Sequence, residues 1–93
     1  MTKEFEDFVK SKVYVKFQTV NEKKLYWGNG LAGEAGEVCN EIKKEIRDEL
    51  NRDERVKSEI GDVLFYLTMV AENHGFSLDD AMEEQIKKLS NFK

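Results

Sequence analysis

Two pairs of acidic residues, each spaced three residues apart, constrain this chain more than any other feature. The first pair is Glu34 and Glu37, and the second is Glu59 and Asp62. Residues three apart lie on the same face of an α-helix, so each pair places two carboxylates on one helical face. The segment between the pairs can form a helical hairpin, which would bring all four carboxylates together.

The surroundings of Asp62 favour a metal site over a solvated acidic face. This residue interrupts a segment, residues 59–73, that is apolar almost all round. Charged groups are almost never fully buried unless they are paired or bind a metal, and hard divalent cations prefer oxygen ligands. We therefore predict that a metal ion binds the four carboxylates of Glu34, Glu37, Glu59 and Asp62. A solvated surface position is the interpretation for the other acids nearby, which are Glu41, Glu45, Glu49 and Glu54.

Helical periodicity over the whole chain predicts an all-α domain of four helices. The sequence contains no proline, and apolar residues recur at helical spacing over residues 3–20, which predicts a first helix. Residues 21–30 are interpreted as an irregular or partly helical join. The second helix should then run from Asn29 or Gly30 to about Leu50.

The remaining two helices are predicted from their end signals. Asp53 is the expected N-cap of the third helix, which should run to about His74 and stop at Gly75. His74 is expected to contact the last carbonyls of that helix rather than a metal. Ser77 begins a capping-box pattern and a fourth helix, whose expected core stripe is Leu78, Ala81, Met82, Ile86 and Leu89.

The same periodicity predicts which helical faces are buried. The second helix should carry its acidic residues beside an apolar core stripe, formed by Leu31, Ala35, Val38, Cys39, Ile42 and Ile46. The only cysteine, Cys39, cannot form an internal disulfide and is expected to be a packed thiol. The third helix, apolar nearly all round, should be the most buried.

Length and charge limit the assembly and the partners. Ninety-three residues allow one domain, residues 1–93, with only a modest core, so we expect completion by dimerisation, as a homodimer or dimer of dimers. The net charge of −4, with no separate basic cluster, argues against binding to a nucleic acid polymer. No segment resembles a signal peptide or a membrane span, so a cytoplasmic location without membrane contact is expected.

Three stretches together carry a family resemblance. They are Gly30-Leu31-Ala32-Gly33-Glu34-Ala35-Gly36-Glu37-Val38, then Lys43-Lys44, then Glu59-Ile60-Gly61-Asp62-Val63-Leu64-Phe65-Tyr66-Leu67. The chain thereby resembles the MazG-like nucleoside triphosphate pyrophosphohydrolases, whose signature is E-x-x-E, a spacer, and E-x-x-D. The resemblance implies hydrolysis of a nucleoside or deoxynucleoside triphosphate to the monophosphate and pyrophosphate. It also implies Mg²⁺ as cofactor, with Mn²⁺ as a substitute.

The resemblance also suggests roles for individual residues. The catalytic set would be Glu34, Glu37, Glu41 and Lys44, with Glu37 or Glu41 taking the proton of the attacking water. Lys44, Tyr66 and Lys88 would donate hydrogen bonds to phosphate oxygens or to the sugar. Relatives usually carry an arginine where this chain has Phe92, so that contribution is missing or comes from elsewhere.

Two questions stay open on the sequence alone. Trp27 is either an anchor of the bundle or a platform on which a nucleobase stacks, and the resemblance favours the substrate pocket. A catalytically silent nucleotide- or metal-binding module is the alternative to an enzyme. A helical interaction protein, whose acids only solvate the bundle, is the second alternative.

Overall fold

A computed structural model describes residues 2–92 of the chain. Within this range the chain forms four α-helices: α1 (Lys3–Ser11), α2 (Val20–Asp48), α3 (Asp53–Asn73) and α4 (Leu78–Ser90). No strand occurs in residues 2–92, so the predicted all-α, four-helix fold is confirmed.

The first helix is shorter than predicted. The helix α1 ends at Ser11, and residues 13–18 are irregular, so a helix over residues 3–20 is wrong. The β-branched residues Val13 and Val15 lose side-chain freedom in a helix and disfavour its continuation.

The helix α2 begins about ten residues earlier than predicted. Thr19 has an extended backbone, and its side-chain oxygen accepts a hydrogen bond from the Glu22 N–H at 3.0 Å. This N-cap satisfies one of the free donors at the start of a helix. The segment 21–30 is therefore helical throughout, and the predicted join, irregular or only partly helical, is wrong.

The ends of α3 and the start of α4 lie close to their predicted positions. The helix α3 starts at Asp53, with Arg52 rather than Asp53 in the N-cap position. Its end is marked by Gly75, which has a φ of +81°, and by His74, whose Nδ1 lies 2.7 Å from the Val70 carbonyl oxygen. The predicted contact of His74 with the last carbonyls is thus confirmed. The Ser77 capping box of α4 is also present.

The core lies where α1, α2 and α3 meet. Its buried centre is Val9, Trp27 and Met69. The half-buried side chains packed around this centre are Val13, Phe17, Phe65, Tyr66 and Val70.

The rotation of α2 about its axis differs from the prediction. The buried residues of this helix are Trp27 and Glu41, and Glu34 is half-buried, so the acidic stripe faces α3. The predicted core stripe faces outward over much of its length, because Cys39 is exposed and Ile46 is 75% exposed. The prediction of a packed thiol is therefore wrong for the single chain.

Apolar side chains are also exposed on α3 and α4. The helix α3 contributes the buried residues Thr68, Met69 and Ala71, but Ile60 and Leu64 near its start are exposed. Leu78 is the buried residue of α4. The rest of its predicted core stripe is exposed, namely Ala81, Met82, Ile86 and Leu89. Much of the apolar surface assigned to the core is thus not covered within one chain.

The first and last helices are joined at their starts. The carboxylate of Glu6 is buried, and its Oε1 accepts a hydrogen bond from the Leu78 N–H at 2.8 Å. The hydroxyl of Thr2 donates to Asp79 Oδ1 at 2.6 Å. A side chain of α1 therefore satisfies a free backbone donor at the start of α4.

Candidate metal centre

Three of the four predicted metal ligands meet between α2 and α3. Glu34 on α2 and both Glu59 and Asp62 on α3 each offer a carboxylate oxygen, and these oxygens lie within 4.8 Å of one another. Glu34 and Glu59 are half-buried, whereas Asp62 is exposed. The short turn between the two helices makes them neighbours, and the spacing of three residues places Glu59 and Asp62 on one face of α3.

The electrostatics of this cluster show charges that repel one another. Burial raises the pKa of Glu59, and the nearby carboxylates of Asp62, Glu34 and Glu37 raise it further. Among residues 2–92 no lysine or arginine forms an ion pair with any of these four side chains. A divalent cation would relieve both effects, because it replaces lost hydration with oxygen coordination and neutralises the repulsion. The donor set therefore fits a hard metal ion such as Mg²⁺.

Glu37 lies beside this cluster without joining it. It is one helical turn beyond Glu34 and is exposed. Its carboxylate is not among the three oxygens that converge, although its charge contributes to the raised pKa of Glu59. Within the described part of the chain, Glu37 is thus a carboxylate without an ion pair at the edge of the site.

Tyr66 borders the cluster because Gly30 leaves room for its ring. A Cβ atom built on Gly30 would lie 2.6 Å from Cδ1 and 2.9 Å from Cζ of Tyr66, which is far inside van der Waals contact. Burial raises the pKa of the Tyr66 phenol, and the nearby Tyr26 hydroxyl and the charges of Glu34 and Asp62 raise it further. The ring therefore packs against the backbone of α2 with its polar end close to the carboxylates.

Trp27 occupies the centre of an aromatic cluster on the other side of Tyr66. Its side chain is 2% exposed, and its ring centroid lies 4.9 Å from Tyr26, 5.6 Å from Tyr66 and 6.0 Å from Phe65. Its Nε1 has no hydrogen-bond partner among residues 2–92. So little exposure leaves no open ring face for a nucleobase, and the anchor interpretation fits the single chain better than the predicted substrate contact.

Glu41 lies in a different environment from the one expected. It is 5% exposed, and its Oε2 accepts a hydrogen bond from Arg52 Nε at 2.6 Å, while Lys44 Nζ lies 3.9 Å from its Oε1. The hydrogen bond from Arg52 lowers the pKa of Glu41, despite the opposing effect of burial. A solvated surface position for Glu41 is therefore wrong, and its charge is already paired.

Sequence reasoning missed Arg52. It lies in the turn between α2 and α3, and its side chain is 17% exposed. An arginine shortly after a helix that carries a glutamate on its inward face is the signal that would have indicated the pair. The predicted solvated position of Glu41 implied no buried partner for its charge.

Lys88 lies apart from the carboxylates within one chain. It is exposed on α4, beside a cavity of about 360 Å³ lined by Phe76, Asp80, Ala81, Glu84, Gln85 and Lys88. None of the four acidic ligands lines this cavity. The structure therefore does not bring Lys88 to the metal centre of its own chain.

The fold and the site together define an all-α protein in which a helical hairpin presents a carboxylate cluster suited to a hard metal ion. Residues 17–92 match the family described as the MazG nucleotide pyrophosphohydrolase domain. The chain belongs to this family, and the resemblance predicted from the two acidic motifs is confirmed.

One relative can be named among curated proteins. The Gene 37 protein of Mycobacterium phage L5 is 36% identical over 70 residues, an alignment that covers 69% of this chain and 60% of that protein. The chain thus matches less than two thirds of the relative's length. No solved structure matches the chain. Within residues 2–92, none of the helices is both long enough and apolar enough to cross a membrane.

Proposed function

We propose that this protein hydrolyses a nucleoside or deoxynucleoside triphosphate to the monophosphate and pyrophosphate, in a reaction that requires Mg²⁺ and accepts Mn²⁺ as a substitute. The observation that carries the proposal is the convergence of Glu34, Glu59 and Asp62 without a cationic partner in residues 2–92. Membership of the MazG family supports a pyrophosphohydrolase activity.

The metal would be held by Glu34, Glu59 and Asp62, with Glu37 at the edge of the site. When bound, such an ion neutralises the phosphates, stabilises the leaving pyrophosphate and lowers the pKa of a water. The chain itself supplies the oxygen ligands and holds them on two packed helices.

The water's oxygen forms a bond to the α-phosphorus, and the bond from that phosphorus to the bridging oxygen breaks. We assign the role of proton acceptor to Glu37, because it is exposed and forms no ion pair with any residue in the range 2–92. Glu41 was the alternative, but its hydrogen bond from Arg52 occupies the carboxylate and lowers its pKa. Lys44, which lies beside Glu41, and Tyr66, which lies near Glu34 and Asp62, are assigned to donate hydrogen bonds to phosphate oxygens or the sugar.

The active form is proposed to be a dimer, because a single chain leaves too much surface exposed. Its accessible area is 7203 Å², whereas a compact protein of its mass exposes roughly 5500 Å². Its radius of gyration is 15.6 Å, compared with about 12 Å for a compact domain of this length. The excess of roughly 1700 Å² exceeds the approximately 800 Å² that each partner buries in a standard interface. In a dimer, Lys88 could act at the partner's site.

Light scattering tests the assembly. We expect the mass of a dimer or a dimer of dimers at micromolar concentration. Ile46→Lys should shift the protein toward monomer, because Ile46 is an exposed apolar residue on the uncovered face of α2. Lys43→Gln on the same helix is the control and should leave the mass unchanged. Monomer mass for the unaltered protein would contradict the proposed dimer.

Activity is tested by pyrophosphate release with Mg²⁺ and a panel of ribonucleoside and deoxynucleoside triphosphates. Asp62→Asn should abolish release while the protein stays folded, since it removes one ligand from a cluster of repelling charges. Glu54→Gln, on an exposed position of the same helix, is the matched control. Full activity in Asp62→Asn would contradict the metal assignment.

The panel and a magnesium titration also separate the alternatives. A protein that is stabilised by Mg²⁺ but hydrolyses no triphosphate would be the silent nucleotide- or metal-binding module. A protein whose melting temperature does not respond to Mg²⁺ would be a helical interaction protein. A single domain over residues 1–93, a cytoplasmic location and the absence of nucleic acid polymer and membrane partners stay predictions.

A further inference from the structure

The facing sides of α2 and α3 change in chemical character along the length of the helix pair. At one end Tyr66 packs over Gly30, and the carboxylates of Glu34, Glu59 and Asp62 lie next to it. The opposite end, near the interhelical turn, holds Arg52 beside Glu41. Seven residues separate Glu34 from Glu41, which is a rise of about 10 Å along a helix.

Arg52 is fixed in place while most of its donors remain free. Its Nε donates to Glu41 Oε2 at 2.6 Å, and its backbone N–H donates to Glu45 Oε2 at 3.2 Å. A guanidinium has five N–H donors in a planar fork. Within residues 2–92 the other four N–H groups of the guanidinium donate no hydrogen bond, so they are available to a ligand.

The charge around Glu41 favours an anion at this end of the helix pair. Arg52, Lys44 and Arg55 all lower the pKa of Glu41 through their positive charges. Glu41 and Glu45 are the acidic side chains that contact Arg52 or Lys44 directly, and the charge of Asp48 also acts on Arg52. Three cationic side chains therefore act around Glu41, whose carboxylate already accepts a hydrogen bond, while Asp48 is itself paired with Arg47.

We infer that the substrate lies along this helix pair in one orientation, with its β- and γ-phosphates at the Arg52 end and its nucleoside toward Tyr66. Arg52 is then a substrate-binding residue that donates its free N–H groups to the pyrophosphate half. Glu41 is a positioning residue that holds the guanidinium. The inference rests on the proposed function, because it orders the three phosphates relative to the metal centre.

The direction agrees with where charge accumulates during the reaction. Cleavage next to the α-phosphorus leaves the bond's electron pair on the bridging oxygen of the departing pyrophosphate. A bidentate arginine matches two phosphate oxygens and is stronger than a neutral hydrogen bond. The Arg52 end therefore suits the leaving group, whereas the monophosphate product keeps only its contacts nearer Tyr66.

Calorimetric titration of inorganic pyrophosphate in the presence of Mg²⁺ tests this assignment without requiring turnover. We expect Arg52→Gln to weaken pyrophosphate binding by about 10- to 150-fold, the range for hydrogen bonds to charged groups. The affinity for the four deoxynucleoside monophosphates should change by less than about threefold, which is smaller than the loss expected from removing one such hydrogen bond. Arg47→Gln is the control, because Arg47 is exposed and pairs with its neighbour Asp48.

Two further variants keep the test decisive if Arg52→Gln is poorly folded. Arg52→Lys retains a charge beside Glu41 but loses the planar fork, so pyrophosphate affinity should fall to an intermediate value. Glu41→Gln keeps an acceptor for Arg52 Nε and should retain most of the affinity, whereas Glu41→Ala should lose it. A purely structural Arg52 would alter the melting temperature without this selective loss.

The outcomes separate this inference from the proposed function. Equal weakening of pyrophosphate and monophosphate binding in Arg52→Gln, the same loss in Arg47→Gln, or no loss at all would overturn the inferred direction. Failure of the unaltered protein to bind Mg²⁺-pyrophosphate would overturn it too. Failure to hydrolyse any triphosphate, with selective pyrophosphate binding intact, would instead contradict only the proposed activity.

Discussion

Replacing Gly30 with alanine should destabilise the protein, although alanine favours a helix. Gly30 lies within α2, where alanine gains about 1 kcal/mol over glycine. The added Cβ would lie 2.6 and 2.9 Å from two ring atoms of Tyr66 and closer still to Cε1. Overpacking of this kind typically costs about 1–3 kcal/mol.

The ring of Tyr66 has little room to move away from the new methyl group. Its centroid lies 5.6 Å from that of Trp27 and 5.4 Å from that of Phe65. We therefore expect a cost near the upper limit and a net loss of about 2 kcal/mol, after the helical gain of about 1 kcal/mol is subtracted. For a domain of this size the melting temperature should fall by about 8–16 °C.

The measurement is thermal unfolding followed by circular dichroism at one fixed protein concentration, because association makes the melting temperature depend on concentration. Gly28→Ala is the matched control, since a Cβ on Gly28 meets nothing within 4 Å. It should raise the melting temperature, by at most about 4–8 °C for a gain of about 1 kcal/mol. If Gly30→Ala melted at or above the unaltered protein, the ring of Tyr66 would not be confined as argued.

Three further predictions follow from the buried and charged groups. Trp27→Ala should cost about 3–5 kcal/mol of stability and leave the Michaelis constant of the folded fraction unchanged. Thermal melts and kinetics on one preparation measure both quantities. A raised Michaelis constant without destabilisation would instead support stacking of a nucleobase on Trp27. Because Arg52 lowers the folded pKa of Glu41 below its usual 4.5, the pair stabilises the protein above that value. This stabilisation should be lost as pH falls through the lowered pKa. In melts at a series of pH values, the melting temperature of Arg52→Gln should therefore fall less on acidification than that of the unaltered protein. The raised folded pKa of Glu59 has the opposite sign: without metal, stability should fall as pH rises from the usual pKa through the raised one. Magnesium should therefore increase the melting temperature more at neutral than at acidic pH, and an equal increase at both would contradict the carboxylate site.

Local chemistry explains which parts of the fold could be predicted from the sequence. The Ser77 capping box and the turn at Gly75 depend on a few neighbouring residues, and both were predicted correctly. The convergence of Glu34 with Glu59 and Asp62 needed only the helical period and a short turn. The start of α2 differs from the prediction because Gly28 and Gly30 resemble a helix boundary in sequence, whereas the N-cap that begins the helix is Thr19.

The rotation of α2 and the pairing of Glu41 could not be predicted in the same way. An apolar stripe identifies a face that avoids water, but it does not indicate which surface covers it. Ile46 is exposed although its spacing indicates a core position. The buried partner of Glu41 lies across a turn, at Arg52, where no periodic pattern connects the two residues.

The hydrogen bond from Leu78 to Glu6 joins residues 72 positions apart, and it has a consequence for how the chain folds. The family match begins at residue 17, so the segment shared with relatives leaves out α1 and its buried carboxylate. Without α1, the first backbone N–H of α4 would lose its acceptor, and Val9 would be missing from the core. We therefore expect the cooperative unfolding unit to extend beyond the matched residues 17–92. In hydrogen exchange, protection at the start of α4 should rise and fall together with protection of α1.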